Sequence, residues 1–74
     1  MKLELHDNGP VSYWVGYAMG VKTTNDPETE VSVQFEGIVD GQWVFTLFDD
    51  EEGLPIEGTQ FSIREEDIDT LVVY

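Results

Sequence analysis

Asp40-Gly41 stands between two apolar runs, residues 31 to 39 and 43 to 48. An Asp-Gly pair accepts the positive φ angles of a two-residue hairpin turn, so the flanking runs are expected to pair as antiparallel strands. The rest of the chain follows the same period of two. From Val11 to Val21 every odd position is apolar or aromatic, and the even positions are Ser, Trp, Gly, Ala and Gly. This predicts a long strand with one large-residue face and one small-residue face. The small face could approach another backbone closely or bend at glycine. Val31, Val33 and Phe35 mark the next strand, and Trp43 to Phe48 the return of the hairpin. Phe61 and Ile63 mark a short strand, Leu71 to Tyr74 a terminal one, and Leu3 and Leu5 a first.

Loops separate these runs. Thr23 to Glu30 contains Asn25-Asp26-Pro27, and Asp49 to Gly58 holds two glycines, one proline and five acids. Ser62-Ile63-Arg64-Glu65 fits a capping box and predicts one helical turn through Glu66-Asp67-Ile68. The expected fold is all-β: a small barrel, or a strongly bent antiparallel sheet of five to six strands, with a single helical turn before the last. Residues 31 to 74 resemble an SH3-like barrel in their order of strand, Asp-Gly turn, strand, acidic loop, strand, short turn, strand. That fold hosts many functions.

A chain of 74 residues is one domain, residues 1–74. It buries only about 60% of its unfolded surface, so its stability margin is thin. With no Cys it has neither disulfide nor thiolate metal site, which leaves self-association as a means of support. A direct two-residue turn pairs Val39 with Gln42, Ile38 with Trp43 and Glu36 with Phe45. Val33, Phe35, Val44 and Phe48 then share one face, and Ile38, Trp43, Phe45 and Leu47 the other. A bulge at Gly37 would re-sort these partners. Residues 43 to 48 remain apolar on both faces. Either the second wall of a barrel covers the extra face, or a homodimer buries it, with Trp43, Phe45 and Leu47 as candidate dimer or anchor residues.

Composition excludes several functions. Three Lys plus Arg against 16 Asp plus Glu give a net charge of −13. Binding to nucleic acid or to an anionic membrane needs cations to neutralise phosphate. No apolar run approaches the ~18 residues of a membrane span. The segment Met1-Lys2-Leu3-Glu4-Leu5-His6-Asp7 lacks the apolar region of a secretory signal, so a cytoplasmic location is expected. At 41% hydrophobic the chain is too apolar to remain an unstructured acidic polymer. His6 has no evident partner, Ser12, Ser32 and Ser62 fall in no nucleophile motif, and no phosphate-binding glycine loop occurs. No enzymatic activity and no cofactor are expected. Asp49-Asp50-Glu51-Glu52-Gly53 offers oxygen ligands, but the twelve-residue calcium loop would need Glu where Gln60 stands, so no metal is assigned.

The charge itself remains. Asp26, Glu28 and Glu30 form one group. Asp49, Asp50, Glu51, Glu52 and Glu57 form a second, and Glu65, Glu66, Asp67 and Asp69 a third. Solubility needs a net charge of only about 2 to 8 in magnitude. Three explanations are open: the general acidity of a halophile's protein, a solvated adaptor surface, or mimicry of nucleic acid. Duplex DNA carries one charge per ~1.7 Å, so about 22 Å of duplex matches the whole chain.

In size, charge, lack of Cys and the segments Asp49–Glu52 and Glu65–Asp69, the chain resembles the small DNA-mimic proteins of bacteriophages. The resemblance implies a basic DNA-binding partner, such as a nucleoid protein or a defence nuclease, met in the host cytoplasm. The partner-binding candidates are Asp49, Asp50, Glu51, Glu52, Glu65, Glu66, Asp67 and Asp69. The rival reading is an SH3-like adaptor that binds a peptide or subunit through Tyr13, Trp14, Tyr17 and Trp43.

Overall fold

The computed structural model describes residues 1–6 and 9–74. It is all-β. Six strands run β1 (Lys2–Leu5), β2 (Ala18–Thr23), β3 (Asp26–Val39), β4 (Gln42–Asp49), β5 (Leu54–Arg64) and β6 (Ile68–Val73). Single 3-10 turns occupy Val11–Tyr13 and Glu65–Asp67. The strands form one sheet in the order β1-β6-β2-β3-β4-β5. The bent β3 belongs to both halves: residues 26–34 pair with β2 and residues 33–39 with β4. The domain measures 29 × 27 × 26 Å.

The hairpin forms as its sequence requires. Asp40 and Gly41 both take positive φ, at 51° and 78°. Val39 faces Gln42 and Ile38 faces Trp43. The register then shifts, so that Gly37 opposes Val44 and Phe35 opposes Phe45, with Glu36 the extra residue. Gly37 has φ 127°, which a side chain rarely tolerates. This bulge decides which side chains share a face. Phe35 packs against Trp43 and Phe45 at ring-centroid distances of 5.4 and 5.8 Å. The inner face carries Val33, Phe35, Trp43 and Phe45, all buried, with half-buried Leu47 packed against them. The apolar residues left on the outer face of β4 are Val44 and Phe48, each half-buried.

Trp43 and Phe45 are 4% and 0% exposed. They fill the chain's own core and offer no area to a second subunit or partner, which corrects the dimer-anchor expectation for both. Leu47 likewise packs on that core.

The expected loops at 23–30 and 49–58 are shorter, because β3 begins at Asp26 and β5 at Leu54, and three further expectations change. The long strand from Val11 begins only at Ala18. Pro10 leads a 3-10 turn, and Gly16 has φ 87°. This inverts the expected faces: Trp14 is buried, whereas Val11, Tyr13, Val15 and Tyr17 are exposed. Ser62 pairs with Val44 inside β5, and the turn at Glu65–Asp67 has no side-chain cap. The sheet is mixed, because β1 runs parallel to β6. The hairpin-linked pairs must be antiparallel, but β1 and β6 are distant in sequence, so no tight turn fixes their direction.

Candidate functional site

Two acidic segments, Asp49–Glu52 and Glu65–Asp67, lie at opposite ends of the β4–β5 hairpin. At one end Gln42 pairs with Arg64, beside Glu65–Asp67; at the other, Asp49 pairs with Leu54 across the 49–53 turn. Eight residues of β4 separate the ends, ~24 Å at about 3.4 Å per residue. The structure therefore does not gather Asp49–Glu52 and Glu65–Asp69 into one patch.

At the first end, an open cleft is lined by Met1, Asp40, Gly41, Gln42, Arg64, Glu65 and Glu66. Arg64 pairs with Glu66 at 3.2 Å and with Asp67 at 3.1 Å. Both pairs are solvent-exposed and contribute little stability. The Asp67 carbonyl accepts the Thr24 amide, which ties the β2–β3 turn to this end. Asp69 accepts from the Thr70 hydroxyl at 2.8 Å. Glu65 and Glu66 are exposed, while Asp67 and Asp69 are half-buried.

At the second end, Asp49 Oδ1 accepts the backbone N–H groups of Glu51 and Glu52 at 2.9 and 3.2 Å. Asp49 therefore holds the turn, and Glu51 and Glu52 project from it, exposed. Asp50 turns back over the outer face of the sheet and accepts from the Ser32 hydroxyl at 2.6 Å.

That outer face holds a group that sequence reasoning missed. The Tyr74 hydroxyl donates to Glu30 Oε2 at 2.6 Å. His6 stacks on the Tyr74 ring, with centroids 5.9 Å apart and planes 9° from parallel. The Glu30 side chain lies on Gly20, where any Cβ would overlap it. This is the close approach anticipated for the small-residue face, made by a side chain and not by a backbone. The hydrogen bond to Glu30, partial desolvation, and the charges of Glu30, Glu4 and Asp50 together raise the Tyr74 phenol above its ordinary 10.0. Strands β1, β3 and the 49–53 turn thus bring three carboxylates to one phenol. Only the Gly20 position hinted at this in the sequence, since Glu30 and Tyr74 are 44 residues apart.

Among the described residues, no His, Asp or Glu group is placed as a metal-ligand set, and Arg64 is the only side chain in an ion pair with a carboxylate. No helix among them is long and apolar enough to cross a membrane. Of the adaptor candidates, Trp14 and Trp43 are buried, while Tyr13 and Tyr17 are 68% and 40% exposed. The chain matches no protein-family model, no curated protein and no solved structure.

Proposed function

We propose that this chain is a non-enzymatic DNA mimic of the bacteriophage type, which occupies the DNA-binding surface of a basic protein in the cytoplasm. The observation that carries the reading is the chain's excess of 16 Asp plus Glu over three Lys plus Arg, in a protein whose scaffold is a small, hydrogen-bonded sheet. Two acidic ends ~24 Å apart match the span of about 14 duplex charges at ~1.7 Å each. A DNA-binding protein presents Lys and Arg over such a length. The carboxylates would pair with those cations, and the body of the domain would block the duplex. Exposed Glu51, Glu52, Glu65 and Glu66 are the principal contacts. The adaptor alternative now depends on Tyr13 and Tyr17, the two exposed members of its aromatic set.

The test is a pull-down from bacterial lysate, washed at about 0.1 M and then at about 0.5 M salt, which shortens the screening length roughly twofold. Elution of DNA-binding proteins in the second wash supports mimicry. A salt-resistant partner that is lost on Tyr13→Ala supports the adaptor.

A further inference from the structure

We propose that the free edge of β1 pairs antiparallel with β1 of a second copy of this chain, on a two-fold axis through Leu3. β1 is an edge strand whose four residues are all exposed, with Leu3 and Leu5 at 44% and 42% and Met1 at 49%. The His6 amide donates to the Val73 carbonyl at 2.7 Å, so His6 directs its backbone groups toward β6. Backbone direction alternates along a strand, so Glu4 and Lys2 also point inward, while Leu3 and Leu5 present N–H and C=O to the open edge.

The side chains select the register. Centring the axis on Leu3 makes a hydrogen-bonded pair of Leu3 with its copy. It sets Lys2 opposite Glu4 of the second copy, and Glu4 opposite the second Lys2. Met1 then faces Leu5 across the axis. Opposite charges directly across an antiparallel pair attract. Centring on Glu4 would oppose two carboxylates, and centring on Lys2 two ammonium groups. The Leu3 register thus joins the charge complementarity of Lys2-Leu3-Glu4 to burial of the exposed Leu3 and Leu5. The other edge, β5, is less suited to pairing. It contains Pro55, which lacks an N–H, and the irregular pairing near Gly58, where φ is 80°. This interface does not depend on what the acidic surface binds, and it would present that surface twice.

Charge swaps at Lys2 and Glu4, read by sedimentation velocity at about 0.15 M salt where distant acids are screened, test it. The wild-type chain should dimerise as its concentration rises. Lys2→Glu and Glu4→Lys should each weaken the dimer about tenfold, or about 1.4 kcal/mol. The double variant K2E/E4K should recover wild-type affinity to within about threefold. Melting curves confirm that each variant folds. If relief of net charge governed association, Glu4→Lys alone would strengthen it. That result, an unaltered dimer in all three variants, or a wild-type monomer up to about 1 mM would overturn the proposal.

Discussion

The Tyr74 hydroxyl reaches the Glu30 carboxylate at 2.6 Å and joins the end of the chain to the first half of β3. The Glu30 side chain lies on Gly20, which has no side chain to obstruct it. Removing the hydroxyl with Tyr74→Phe should cost about 0.5 kcal/mol, the low end for a hydrogen bond because both groups are exposed. Chemical denaturation measures it.

The same contact makes a prediction about pH. Tyr74 is raised above 10.0 in the folded protein, first by its hydrogen bond to Glu30. The folded chain therefore holds this proton more tightly than the unfolded chain does. The resulting stabilisation is fully present below about pH 10 and is lost as pH rises through the folded-state value. Ultraviolet titration should show Tyr74 titrating late, a step absent in Tyr74→Phe and shifted back toward 10 in Glu30→Gln.

Gly20→Ala should preserve the fold, since the obstructing atoms belong to the flexible Glu30 side chain. It should displace Glu30, lower the Tyr74 titration point and cost about 0.5–1 kcal/mol. Combined with Tyr74→Phe, the losses should fall short of additive, because both changes remove one interaction. Full additivity would show that Gly20 acts independently of the Glu30–Tyr74 contact.

Gly37→Ala should be more damaging, by at least about 1 kcal/mol, because φ 127° strains any Cβ. Phe45→Ala should cost about 3–5 kcal/mol, most of the stability of a domain this small. Thermal melting should show Phe45→Ala partly or wholly unfolded at room temperature. A well-folded variant would contradict the core position of Phe45.

Much of this fold is legible in local sequence. Asp40-Gly41 specifies its turn through backbone conformation alone, and Val33, Phe35 and Trp43 fall on the inner face once Gly37 is allowed its bulge. Residues 11–17 are not legible by periodicity. Alternation of apolar residues describes a strand, but Pro10 and the left-handed Gly16 coil this segment, and Trp14 enters the core. The acidic runs are visible in the sequence, whereas their separation to opposite ends depends on the length of β4. The meeting of Glu30 with Tyr74 depends on sheet order, to which no local pattern refers.

Charge reversal can compare the two acidic ends at little structural cost, since the only ion pair among the described residues that it breaks is the solvent-exposed one between Glu66 and Arg64. Glu51, Glu52, Glu65 and Glu66 are exposed, whereas Asp49 holds its turn and Asp69 accepts from Thr70. E51K/E52K and E65K/E66K should each weaken partner binding by at least tenfold at low salt, with melting temperatures nearly unchanged. An effect confined to one pair would reduce the contact to that end of the domain.

The most direct measurement is competition between this chain and a labelled DNA duplex for a basic bacterial nucleoid protein, followed by fluorescence anisotropy over a salt series. Mimicry predicts that the chain displaces the duplex at low salt and that its affinity falls steeply as salt rises. A duplex that stays bound at every concentration of the chain would contradict it.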